Sequence, residues 1–303
     1  MIYGLTAALS WGASAVTATI ATRRAGTFLT VLVGQGLGLV VLLVLSAWLH
    51  PSFAAVHGST AWGLVGAGVI GLLGYLSFYR ALEEGPVGLV SSIGSTYGGV
   101  TAVLAVVLLG ERLGALGGAG VALAVAGVAL AAARAAASSE PVGLAAGEPI
   151  IGVAPAPSRM GALARAGIPL AMVSALAYGV GGFLLGHLSS KAGSLSATLV
   201  ARIVSVAVLL VVLPFLGRAS MWKASGSGAA WAAAAGLTDV VGVLAFARGG
   251  QVGQVAVTAA VSSVYPVIPL AAGLALFDEP LGARQAMGVG MIIAGLVLLG
   301  LAG

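Results

Sequence analysis

The chain has 303 residues, 60% of them hydrophobic and 7% charged, with a mean hydropathy of +1.14; no water-soluble globule hides that much apolar surface. The formal charge of +5 comes from Lys and Arg scattered singly, a pattern of membrane-edge anchors that speaks against a nucleic-acid partner. Cysteine is absent, which excludes disulfides, thiolate metal sites and cysteine nucleophiles.

A bilayer crossing takes roughly 20 helical residues, and apolar runs of that length fall at about 2–21, 28–49, 60–82, 86–109 and 113–134. The first run follows Met1-Ile2-Tyr3 with no basic leader, and it holds Ser10, Trp11, Gly12 and Ser14. It reads as a helix that stays in the protein. A second set of runs falls at about 166–187, 195–216, 228–248, 252–277 and 282–302. Between the sets, residues 135–165 carry Pro141, Pro149, Pro155 and Pro157 with Glu140, Glu148 and Arg159. That composition predicts a flexible linker between a first unit, 1–134, and a second, 166–303.

The two sets are copies. Shifted by about 168 positions, Phe78, Arg80, Gly85, Ser95, Tyr97, Glu111, Leu113, Gly114, Gly120 and Gly127 meet Phe246, Arg248, Gly253, Ser263, Tyr265, Glu279, Leu281, Gly282, Gly288 and Gly295. About 16 of roughly 53 ungapped positions agree, where this biased composition gives about a tenth by chance. Nearer each start the offset becomes about 167, pairing Ala8, Leu9 and Gly12 with Ala175, Leu176 and Gly179, and Trp11 with Tyr178. Five crossings per copy is an odd number, so the second copy enters the membrane from the opposite side. The expected fold is therefore an all-α integral membrane protein of about ten transmembrane helices in two inverted five-helix repeats, an architecture suited to alternating access.

With "ALSWG" and "ALAYG" opening the halves, and "LLGERLGALGGAGVALAVAGVAL" and "LFDEPLGARQAMGVGMIIAGLVL" closing them, the chain resembles the EamA family of the drug/metabolite transporter superfamily. The resemblance implies five helices per half, a closing hairpin with a glutamate near its turn, and a Gly-containing last helix. Glu111 and Glu279 match the glutamate. Proline in the ninth segment is matched by Pro266, whereas the first half has Gly98 there. The resemblance further implies a multi-pass carrier in the cell membrane, moving a small metabolite, amino acid or drug, commonly outward.

Asp239 sits near the middle of the eighth run, where an ionised carboxylate costs several kcal/mol unless paired or hydrated. Its mate in the first half is Gly71, so the repeat itself does not need it. It is the candidate proton- or cation-coupling residue, with pairing to Arg202, or a neutral buried acid, as the structural alternatives. Arg202 of the seventh run has Gln35 as its mate and suits either an anionic substrate group or Asp239. Trp11, Ser14 and Tyr178 of the opening helices are candidate cavity residues, as are Tyr97 and Tyr265 of the fourth and ninth runs; helix packing is the alternative reading. Pro266 and Pro269 free backbone carbonyls in the ninth run. Glu111 and Glu279 read as structural hairpin residues, because a carboxylate beside a helix N-terminus accepts backbone donors. Arg80 and Arg248 read as snorkelling anchors, and His187 as interfacial. His50 and His57 lack metal-ligand spacing; neither a metal nor a cofactor is expected.

These features favour a secondary carrier in the lipid bilayer, driven by a proton gradient or by exchange, acting on a small-molecule substrate. An enzyme is not expected, since no nucleophile with its base and no metal-ligand set is assembled. A non-transporting membrane receptor or scaffold is the competing class. A cytoplasmic start places three basic residues in cytoplasmic loops against nine opposite, which positive-inside counting disfavours. The resemblance implies both termini in the cytoplasm.

Overall fold

The computed structural model describes residues 1–111, 114–137, 159–213, 226–279 and 282–301, all of its regular structure helical. In chain order the helices are α1 (Ile2–Ala25), α2 (Thr27–Leu49), α3 (Gly58–Glu84), α4 (Val87–Gly94), α5 (Tyr97–Leu109) and α6 (Ala115–Ala137). The second half gives α7 (Arg159–Ala192), α8 (Ser194–Val212), α9 (Gly226–Val252), α10 (Val255–Ser262), α11 (Val267–Leu276) and α12 (Ala283–Leu301). Eight segments are long and apolar enough to cross a membrane, with α4 and α5 counted as one crossing and α10 and α11 as another. α6 and α12 add shorter apolar stretches, Ala115–Ala124 and Ala286–Gly295. Each of the ten apolar runs thus corresponds to one of these segments, eight of them of spanning length.

Most of the expected linker, 138–158, lies outside the described residues, as do Leu113, Leu281 and the end of the seventh run at 214–216. Its two edges differ from expectation. Residues 135–137 close α6, and 159–165 open α7, because the Ala-, Leu-, Met- and Arg-rich stretch after residue 158 favours helix well before the apolar part begins.

The packing is reciprocal, as an inverted repeat requires. α1 lies along α9 and its mate α7 lies along α3, while α6 and α12, mates of one another, pair directly. Small residues set the spacing. A Cβ added to Gly127 would come within 2.6 Å of the Gly288 carbonyl oxygen, and one on Gly295 within 2.5 Å of that of Gly120. In a bilayer, where lipid is as apolar as the protein surface, such backbone approach supplies the dispersion contact that holds helices together. Gly74 and Gly242, also mates, seat the rings of Tyr178 and Trp11, each with a would-be Cβ 2.6 Å from ring carbon.

Both interrupted helices break near the middle of their apolar segment, one at a proline and the other without one. In the second half Pro266 has no N–H to give, and the chain passes through i→i+3 bonds such as Tyr265 N–H to Ser262 O (3.2 Å). In the first half, where Gly98 replaces proline, Ser95 Oγ donates to Ser92 O and Thr96 Oγ1 to Ile93 O, both at 2.7 Å. Hydroxyls competing for backbone acceptors turn the chain there. Ser263 of the other half packs against Gly98, so the two breaks face each other.

Where α4 and α10 begin, just after α3 and α9, each has a helix N-terminus to satisfy. Glu279 Oε2 accepts from Val87 N–H at 2.7 Å. Glu111 accepts from Val255 and Ala256 N–H at 3.1 and 3.0 Å. Each hairpin glutamate thus caps a broken helix of the opposite repeat.

Candidate functional site

A cavity of about 130 Å³ lies between the halves, comparable to an apolar void of roughly 150 Å³ that accepts a benzene-sized guest. Trp11, Ser14, Tyr97, Tyr178, Arg202, Asp239 and Tyr265 all line it, joined by Gln35, Tyr75, Phe78, Tyr79 and Phe246. The seven residues singled out from the sequence therefore reach one chamber, although they come from α1, α5, α7, α8, α9 and the turn between α10 and α11.

Repeat mates that touch each other mark the pseudo-two-fold axis. Tyr97 and Tyr265 face across 6.5 Å between ring centres, and Arg202 Nη1 donates to Gln35 Oε1. Both pairs line the cavity, so the chamber lies on the axis that relates the halves.

One corner is polar. Arg202 Nη2 donates to Asp239 Oδ2 at 2.8 Å, and the two side chains are 4% and 6% exposed. Tyr75 gives its hydroxyl to the same carboxylate, 2.7 and 2.9 Å from its two oxygens. Gly38 lies under the guanidinium, where a Cβ would meet Cζ at 3.5 Å, and the Tyr75 ring centre is 5.6 Å from Cζ. A buried pair of this kind persists only with its partners in place, since either ion left alone is costly.

The remaining wall is aromatic. Trp11 meets Tyr97 edge-on at 5.8 Å and Phe246 at 5.6 Å. Tyr178 meets Tyr75 at 5.3 Å and Phe78 at 6.0 Å, again edge to face. These geometries fix the rings against one another. Tyr97 OH and Ser262 Oγ share a hydrogen bond at 2.6 Å, and Tyr265 OH donates to Ser91 O at 3.1 Å, tying the two breaks across the axis. Ser14 donates to Ala235 O at 3.0 Å.

Sequence reasoning missed Tyr75 and Tyr79, and took Phe78 and Phe246 only as repeat markers. A signal was present: Tyr75 and Tyr79 stand four apart on α3, where the second copy has Val243 and Ala247. A difference between copies on the helix that mates with the Asp239 helix points to the same site.

Other residues lie outside the chamber. His187 stacks on Phe183 at 6.1 Å. Arg80 pairs with Glu83 and Glu84 on its own helix, and Arg248 donates to Gln251 at 2.8 Å. No metal-holding cluster occurs among the described residues.

Fold and chamber define a class, a polytopic helical membrane protein with a solute-sized space between two interlocked halves. The chain belongs to the EamA-like transporter family, whose model matches residues 1–133 and again 165–301. It is a membrane transporter and not an enzyme. Among solved structures, a chain described only as "Crystal structure of protein" shares the fold at a TM-score of 0.66 and 19% identity, over 99% of this chain and 95% of that one. Comparison with curated proteins gives no match at a significant level.

Proposed function

We propose that this transporter is a secondary carrier of the cell membrane that moves a small amphipathic metabolite, amino acid or drug by alternating access, with net flow outward as the family resemblance implies. The chamber's position carries the reading: it lies on the pseudo-two-fold axis, walled by both halves. A site in that place opens to either face when the halves exchange conformations, without the solute leaving its contacts. Trp11, Tyr97, Tyr178 and Tyr265 serve as the walls, Ser14 and Arg202 as polar contacts, and Asp239 as the residue that couples transport to a proton or to an exchanged solute. Glu111 and Glu279 hold the broken helices in register.

The test is flux. Purified protein in liposomes, preloaded with a panel of amino acids, organic acids and aromatic amines, should show counterflow of at least one labelled member, and empty liposomes none. Absence of flux across the panel, with tight binding of a protein partner instead, would overturn the reading in favour of a receptor or scaffold.

A further inference from the structure

The chamber also specifies the charge of what enters it, an inference that rests on the carrier reading above. Arg202 and Asp239 are the ionisable residues of opposite sign in its wall, and they neutralise each other. With both side chains this buried, a solute bringing net charge would leave one ion uncompensated. Asp239 accepts from two donors, the Tyr75 hydroxyl shared between its oxygens and Arg202 Nη2 on one of them. Arg202 is differently placed. Its fork carries five N–H groups, and its hydrogen bonds among the described residues go to Gln35 and Asp239. Gly38 on one side and the Tyr75 ring on another hold the guanidinium in orientation. A planar, oriented guanidinium is matched by a planar carboxylate, and the aromatic wall beside it matches a flat apolar body.

We infer that the chamber binds a compact, flat monocarboxylate together with one proton. The solute's carboxylate replaces Asp239 on Arg202, and Asp239, left without its counter-charge, takes up one proton from the bulk solution. Charge balances throughout: one guanidinium faces one carboxylate before and after, and the second carboxyl group is neutral once the solute is bound. Tyr75 stays hydrogen-bonded to Asp239 in both forms. The other groups facing Asp239 do not supply this proton. α3 offers Tyr75 and Tyr79 and α7 offers Tyr178, phenols whose ordinary titration lies near pH 10; α8 offers Arg202, which stays charged. α2 and α1 offer Gln35 and Ser14, which do not titrate.

Benzoate, benzyl alcohol and benzylamine present one ring with charge −1, 0 and +1. Binding of each to the protein in nanodiscs is read by calorimetry and by thermal stabilisation between pH 6 and 8. Benzoate is expected to bind at least tenfold more tightly than the other two. Its affinity should fall about tenfold per pH unit, with about one proton taken up per benzoate. Asp239→Asn should keep benzoate binding and lose both the pH slope and the proton uptake. Arg202→Lys, which keeps the charge and loses the fork, should weaken benzoate at least tenfold. Benzylamine or benzyl alcohol binding as well as benzoate, a pH slope surviving in Asp239→Asn, or no binding by any of the three would overturn the inference. Flux of panel solutes without benzoate binding leaves the carrier reading standing and removes the charge assignment. Benzoate binding with proton uptake but no flux of any solute does the reverse.

Discussion

At the seam between α6 and α12, each half repeats what the other does. Gly127 against Gly288 and Gly295 against Gly120 are one contact seen twice, and the Trp11 and Tyr178 rings sit on Gly242 and Gly74 in the same way. At the chamber's polar corner the mates part company. Arg202 corresponds to Gln35, Asp239 to Gly71, Tyr75 to Val243 and Tyr79 to Ala247. On the proposed carrier reading the seam serves both conformations, so symmetry is useful there. The corner is built from one ion of each kind rather than two mirrored pairs, so the repeat itself does not require it.

The largest effect is expected from making the corner symmetric. Arg202→Gln alone strips the buried Asp239 of its counter-charge and should cost about 3–5 kcal/mol, as loss of one partner of a buried pair does. Adding Asp239→Gly restores the first half's residues in both places. The double variant should regain most of that loss in thermal unfolding while liposome flux stays absent. A double variant less stable than the single one would show that the corner is part of the scaffold.

A middle-sized effect separates the two ends of the molecule. Glu279 caps α4 and also pairs with Arg23 at 2.8 Å, an arginine that donates to Gly85 O at 3.0 Å and lies 4.9 Å from the Phe277 ring centre. Glu111 caps α10 from the equivalent place, but the mate of Arg23 is Ser190. Each glutamate to glutamine change should cost about 1–2 kcal/mol for the cap. Glu279→Gln should exceed Glu111→Gln by up to about 1 kcal/mol, the part-exposed ion pair being worth no more than that. High salt should narrow the gap, and equal losses in thermal unfolding would mean that the Arg23 pair contributes nothing.

The smallest expected change is a gain. Gly110 and Asp278 are mates at the hairpin turns, with φ of 67° and 51°. Glycine takes that conformation without penalty, while aspartate only tolerates it. Asp278→Gly should stabilise the protein by about 0.5–1 kcal/mol; a loss in thermal unfolding would show that the Asp278 side chain has a role in the turn.

Composition, the apolar runs and the repeat offset are local or periodic properties, and from them the sequence by itself determined a ten-crossing membrane protein of two related halves. It also marked Asp239 and Arg202, because an ionisable residue inside an apolar run stands out wherever it lies. Tyr75 and Tyr79 did not stand out, since an aromatic residue in such a run faces lipid, a neighbouring helix or a chamber with no difference in its local pattern. The break at Ser95–Thr96 was equally hidden, because it depends on hydroxyls choosing carbonyl acceptors and on Ser263 arriving opposite Gly98. Only the tertiary structure decided which faces meet at the axis, because helix rotation is fixed by close packing against partners distant in the chain.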